Sequence, residues 1–193
     1  MDIRKLTLPV ILVLTFFSSG FSTPTNAADL KYTYVEGRYF VNIGMDVENG
    51  DGFVLSASYK LQYDIFVTGG LAKLEADDSE VESQIISGGL GYIYSLNNNW
   101  NADAKLSFVK VENDFPKGKD DDDTGYQIET GVRGLLKPEL ELQAHITYTD
   151  TFLATTALVF SADYYLKPNI SAGTSFGIDG DGGSFTLGAK YYF

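Results

Sequence analysis

The sequence contains no cysteine, a single histidine and a single tryptophan in 193 residues. Without thiols there can be no disulfide framework, thiolate metal site or cysteine nucleophile. Bases are also scarce, with 14 Lys and Arg against 26 Asp and Glu. No basic patch exists to neutralise phosphates, which argues against a nucleic-acid partner. After residue 17 no apolar run approaches the roughly 20 residues that a membrane-spanning helix needs, so any entry into a bilayer must use strands. Aromatics and glycine, by contrast, are plentiful: 13 Tyr, 13 Phe and 20 Gly.

Residues 1–27 have the layout of a secretory signal. Arg4 and Lys5 give a short positive start, residues 6–17 are apolar, and a polar segment leads to Ala27 and Ala28. Small residues at Thr25 and Ala27 place cleavage after Ala27. Removal would take Asp2, Arg4 and Lys5, leaving 25 acids against 12 bases over residues 28–193.

Four segments of that remainder share one design: 61–65 (LQYDI), 96–100 (LNNNW), 136–140 (LKPEL) and 166–170 (LKPNI). Each flanks three polar or turn-forming residues with apolar ones, and Pro138, Pro168 and the 97–99 asparagines break regular structure. These are tight hairpin turns. Between them lie acidic loops at 48–52, 75–82, 112–124, 150–153 and 179–183, which with Asp46 hold 17 of the 25 acids. Tight turns alternating with longer loops is the asymmetry of outer-membrane barrels, whose turns are periplasmic and whose loops are external. Five loops and four turns delimit ten strands with periplasmic termini, eight being the fallback if one hairpin stands outside the membrane. The fold class expected is an all-β, antiparallel, up-and-down transmembrane barrel over residues 28–193.

Period-two alternation supports this. Leu140, Leu142, Ala144, Ile146 and Tyr148 share one face while Glu141, Gln143, His145, Thr147 and Thr149 share the other. Alternation fits any half-buried sheet, so the contents of each face decide. The polar face is rich in Gly and Ser, suited to a narrow interior; the apolar face carries charge only at Lys73 and Lys110, beside the loops. Aromatics on that face fall into two girdles: Tyr59, Tyr94, Trp100, Tyr164, Tyr191 and Phe193 near the turns, and Phe53, Phe108, Tyr126, Tyr148, Phe176 and Phe185 near the loops. Two girdles around an aliphatic band mark the two interfaces of a bilayer.

The last strand, 184–193, alternates to a terminal Phe193, with Tyr191 on the same face. That ending resembles the signal by which barrels are recognised for outer-membrane assembly. The segment ADLKYTYVEGRY at 28–39 resembles the opening of a group of small barrels within the outer-membrane protein β-barrel family, in the porin-like superfamily. The resemblance continues through the Leu-Lys-Pro turns to the Tyr-Tyr-Phe end. It implies an outer-membrane location and no cofactor, and it supplies no catalytic residues. The partners expected for such a barrel are outer-membrane lipid, lipopolysaccharide and the barrel assembly machinery.

Few residues could carry chemistry. His145-Ile-Thr147 faintly resembles the His-x-Ser arrangement of barrel lipid A deacylases, but Thr stands in place of Ser and the strand phase points His145 inward. The acidic loops could associate weakly with divalent cations; Asp179-Gly-Asp181-Gly does not complete a calcium-loop pattern. The same phase places Glu36, Asp103, Glu129, Glu141 and Asp163 in the lumen, with Arg38, Lys60, Lys105, Arg133 and Lys190. Equal numbers of each sign permit a paired network that plugs a ten-stranded barrel. The Gly and Ser content of the same face would leave room for water. The expected function is a non-catalytic envelope barrel with a closed lumen; the alternatives are a narrow pore for ions or small solutes, and a lipid-modifying enzyme.

Overall fold

The computed structural model describes residues 30–44, 50–76, 82–115, 121–152, 154–180 and 182–193. The expected signal segment and its cleavage site lie outside the described residues, as do 45–49, 77–81, 116–120, 153 and 181 within the loops.

Ten strands follow in order: β1 (Tyr34–Gly44), β2 (Gly50–Lys60), β3 (Ile65–Ala76), β4 (Glu82–Ser95) and β5 (Trp100–Asp114). Then come β6 (Asp121–Lys137), β7 (Leu140–Asp150), β8 (Ala154–Lys167), β9 (Ile170–Ile178) and β10 (Gly182–Tyr192). Each pairs antiparallel with its chain neighbours, and β1 closes the barrel on β10, with Arg38 opposite Gly188 and Tyr34 opposite Tyr192. Closure leaves no unpaired edge, which is what a sheet needs where water cannot satisfy its backbone groups.

The four tight turns fall where their sequences place them, and they share one end of the barrel with residues 30–33 and Phe193. In the β2–β3 turn Tyr63 and Asp64 both have φ of 59°, and Leu61 N–H donates to the Ile65 carbonyl at 2.8 Å. Two left-handed central residues match the right-handed twist of a hairpin, a conformation Asp tolerates better than Tyr. The two Leu-Lys-Pro turns each follow a register shift, at Leu135/Lys137 and Tyr165/Lys167.

At the other end the strands run further than the sequence suggests. Asp121, Asp122 and Asp123 belong to β6 and pair with Asn113, Glu112 and Val111, so the segment read as a loop over 112–124 is partly sheet. The reason lies in β5. Its outward residues run Ala102, Ala104, Leu106, Phe108 and then Lys110 and Glu112; its inward residues run Asp103, Lys105, Ser107 and then Val109 and Val111. The two faces exchange polarity at that height. Above it the inside is an apolar core able to hold the sheet together, and the outside suits water. Lys110 pairs with Glu112 at 2.5 Å, and Lys73 with Glu82 at 2.7 Å, both on the outer surface.

Below that line the outer surface is apolar and exposed: Leu55, Leu90, Leu106, Ile146 and Leu187 are all more than half accessible. Both predicted aromatic girdles point outward, from Phe108 on the loop side to Phe193 on the turn side. Among the described residues every regular element is a strand.

Candidate functional site

The inward side chains form three layers along the barrel axis. At the turn end, Leu30, Tyr32, Tyr34, Phe66, Ile93, Leu135 and Tyr192 pack into one cluster against Tyr165. Residues 30–33 enter the barrel here instead of extending β1, and Tyr32 is fully buried. Tyr165 stacks on Tyr192 with ring centroids 5.3 Å apart, and Tyr34 meets Tyr192 edge-on at 5.5 Å. At the loop end Phe40, Val54, Ala72, Leu74, Ile85, Val109, Val111 and Val159 form a second apolar cluster, with Phe152 packed against it.

The charges lie between these clusters, and all of the predicted lumen residues except Lys60 are buried there. They fall into two groups. On the β1, β8 and β10 side Asp163 is the hub: Lys190 Nζ donates to Oδ2 at 2.6 Å and Arg38 Nη2 to Oδ1 at 3.3 Å. Arg38 Nε also pairs with Glu36, and Lys190 lies 3.7 Å from the same carboxylate. The Arg38 Nη1 donates to Ser175 and Thr186. Gln143 joins Asp163 to Glu141, donating to them at 3.3 and 2.6 Å. Glu141 accepts two 2.7 Å bonds from Arg133, the fork-on-carboxylate geometry that makes such pairs strong. Tyr165 O–H donates to Glu141 at 2.7 Å.

Arg133 ties this group to the inserted segment. Its Nη1 donates to the Lys31 carbonyl at 3.0 Å and its guanidinium lies 5.0 Å from the Tyr32 ring centre. Asn101 donates to Tyr32 Oη at 3.2 Å, and Phe193 N–H donates to the Thr33 carbonyl. The Lys31 ammonium rests over the Tyr165 and Tyr192 rings.

The second group, on β5, β6 and β7, is sparser. Lys105 Nζ lies 3.2 Å from Glu129 Oε2, and His145 Nε2 lies 3.0 Å from Asp103 Oδ1. One donor atom each from Asp103, Glu129 and His145 lies within 4.8 Å of the others.

Lys60 is the exception. It sits at the last position of β2, its side chain is 24% exposed, and it pairs with Asp64 of the adjoining turn at 2.8 Å. Its position one step from the barrel rim lets the ammonium reach water and a turn carboxylate at lower cost than burial. Of the five bases expected in the lumen, four are therefore buried there beside the five acids, and the Lys31 ammonium of the inserted segment adds a positive charge at the turn end.

The lumen glycines also act differently from the sequence reading. Gly91, Gly131, Gly173 and Gly188 each lie directly opposite a long inward side chain, respectively Phe66, His145, Asp163 and Arg38. A Cβ at 131 would lie 2.5 Å from His145 Cδ2, and one at 173 would lie 2.0 Å from Asp163 Oδ1. The space they leave holds neighbouring side chains, so glycine content on this face does not measure an aqueous passage.

Sequence reasoning missed the inserted segment and the inner apolar layer. The second was signalled in β5, where the inward phase continues from Ser107 to Val109 and Val111. The first has no such mark: nothing in 30–33 says that the chain turns into the lumen.

The sequence model of the "Outer membrane protein beta-barrel domain" family matches residues 12–193. Among solved structures, the β domain of the Bordetella autotransporter BrkA is 14% identical, the alignment covering 83% of this chain and 99% of that one with a TM-score of 0.52. An outer membrane channel from Pseudomonas putida F1 is 10% identical, with coverage of 89% and 100% and a TM-score of 0.50. The attachment invasion locus protein Ail of Yersinia pestis is 14% identical, with coverage of 83% and 97% and a TM-score of 0.44. No curated protein matches the sequence. At such identities the likeness concerns the barrel fold alone.

Proposed function

The chain belongs to the outer membrane protein beta-barrel domain family, and from that premise we propose that it is a non-catalytic envelope barrel whose lumen does not conduct. The observation that carries this reading is the stack of buried inward side chains among the described residues: an aromatic layer around Tyr32, a charged layer around Asp163 and an apolar layer around Val109. An ion crossing such a stack would shed its water against two apolar layers, a cost of several kcal/mol at each. Residues 1–27 act as a cleaved export signal into a Gram-negative envelope. Tyr191 and Phe193 are the contact for the assembly machinery. The outward carboxylates at the loop end, among them Glu75, Glu82 and Glu112, meet lipopolysaccharide and its divalent cations weakly.

His145 and Thr147 both face the lumen and are buried, away from the lipid phase where a lipid-modifying site would need them. Overexpression should accordingly leave the lipid A profile unchanged.

Planar-bilayer recording tests the closed lumen. The wild type should show no steady conductance. The double variant Arg38→Ala with Arg133→Ala strips two bases from Glu36, Asp163 and Glu141 and releases residues 30–33 from Arg133; it should leak, with cation selectivity. Stable, well-defined conductance steps in the wild type would replace this reading with the pore.

A further inference from the structure

We infer that Asp103, Glu129 and His145 form a binding site for one divalent first-row transition-metal cation inside the barrel. The charge balance is the first reason. Arg38 and Lys190 answer Glu36 and Asp163, Arg133 answers Glu141, and Lys105 answers Glu129. Asp103 is the lumen carboxylate that no Lys or Arg among the described residues approaches within ion-pair distance, and its partner there is His145. A buried carboxylate without a cation is costly, so this position calls for positive charge.

The second reason is the set of bare atoms. Asp103 Oδ2 and His145 Nδ1 are buried and have no hydrogen-bond partner, and neither has Thr147 Oγ1, two residues along the same face. A neutral imidazole protonated at Nδ1 turns its Nε2 lone pair toward Asp103 Oδ1 at 3.0 Å, two acceptors face to face that a cation between them would satisfy. One imidazole and two carboxylates make a mixed N/O donor set, which suits first-row transition ions better than calcium or magnesium, whose ligands are oxygens.

Geometry is the third. The three donors lie within 4.8 Å of one another. Metal–ligand bonds of about 2.0–2.2 Å in a tetrahedron need donors roughly 3.5 Å apart, a contraction that carboxylate rotamers can supply. Gly131 opposite His145 leaves the ring its seat. Lys105 competes for the same space, with its ammonium 3.2 Å from Glu129. A bound cation takes over its role as counter-ion, so the lysine weakens the site. The two apolar layers close the site off in the folded barrel, and the cation enters while the barrel folds. The inference does not depend on whether the lumen conducts.

The test refolds the full barrel with Co²⁺ or Zn²⁺, removes free metal by gel filtration, and counts the metal retained by mass spectrometry. The wild type should keep about one equivalent, and bound Co²⁺ should show visible d–d bands of an N/O site. His145→Ala and Asp103→Asn should weaken retention at least about a hundredfold, more than loss of a supporting contact usually does. Lys105→Gln should tighten it at least about tenfold by removing a like charge. Neutralising the loop-end pair Asp122 and Asp123 should change nothing. Should His145→Ala fail to fold, judged by its heat-modifiable gel mobility, Lys105→Gln and the wild-type spectrum still decide. No retained metal in the wild type overturns the proposal. So does retention that survives His145→Ala but not loss of Asp122 and Asp123. So does a ¹⁵N spectrum of the Zn²⁺-treated protein showing both His145 ring nitrogens protonated, since a proton would then balance Asp103.

Discussion

Two groups of charge sit side by side in one lumen and are finished to different degrees. Around Asp163 every carboxylate has a base within reach, and the leftover donors of Arg38 and Arg133 end on Ser175, Thr186 and the Lys31 carbonyl. Around Asp103 a carboxylate oxygen, a ring nitrogen and a hydroxyl have no partner at all. The strands, the burial and the residue types are alike. What differs is how many lone pairs and protons the neighbours can answer. Burying charge is tolerable in proportion to that answer, because attraction at low dielectric offsets desolvation only when the remaining bonds are also made. The group around Asp163, in which every charge is paired although the Gln143 amide oxygen has no partner, is therefore structural, a brace that links β1, β8 and β10 across the closing seam. The unsaturated group keeps capacity for a ligand.

The sharpest way to break this comparison makes one change in both places. Asp163→Asn leaves Arg38 and Lys190 to share the single carboxylate of Glu36, and should cost about 3–5 kcal/mol, the usual penalty for breaking a buried pair. Asp103→Asn, measured with a chelator present, removes the acid that no Lys or Arg approaches and keeps a carbonyl for His145. It should cost less than about 1 kcal/mol, within the range of a single neutral hydrogen bond. Urea unfolding in lipid vesicles checks both. Similar losses at the two sites would mean that the groups are not distinct.

Ten strands were legible because the turn sequences are strong local signals: Pro138, Pro168 and the asparagines at 97–99 need no partner to make a bend. The lumen residues were legible for a similar reason, since phase along one strand fixes the face that Glu141 or Asp163 occupies. Which base meets which acid was not. Arg38 and Asp163 are 125 residues apart and meet only because β1 closes on β10 and so comes within reach of β8. Lys60 shows the limit of phase, which gives a direction but not a height: one residue from the rim, it turned to Asp64. The Asp103, Glu129 and His145 cluster needs three neighbouring strands in register, so no spacing in the sequence could announce it.

The comparison of faces gives the next largest effect. Ala144 and Gln143 are adjacent on β7; Ala144 lies on the outer surface beside Trp100, Phe160 and Phe176, and Gln143 is buried between Glu141 and Asp163. Arg at an outward position near the bilayer centre costs about 2–4 kcal/mol. Arg at 143 would sit between the carboxylates of Glu141 and Asp163. Ala144→Arg should therefore lower stability in bilayers more than Gln143→Arg. The reverse order would mean that the sheet is inside out.

The smallest expected effect tests whether lumen glycines are seats for neighbouring side chains. Gly37 and Gly188 lie on the paired strands β1 and β10, and neither has the positive φ that would by itself bar a side chain. Gly188 faces inward opposite Arg38, where an added Cβ would lie 2.5 Å from Arg38 Cγ and 2.4 Å from the Gly37 carbonyl oxygen. Gly37 faces outward, and the nearest atom to its Cβ would be Leu55 Cδ2 at an ordinary 3.5 Å. Gly188→Ala must push Arg38 off Asp163 or spread the β1–β10 seam, and overpacking of this kind costs about 1–3 kcal/mol. Gly37→Ala meets no obstacle and restricts the unfolded chain, so it should be neutral or stabilising by up to about 1 kcal/mol. If inward glycine were simply room for water, both changes would be equally mild. A gap of at least about 1 kcal/mol between them, measured in the same vesicles, is what the seat reading requires.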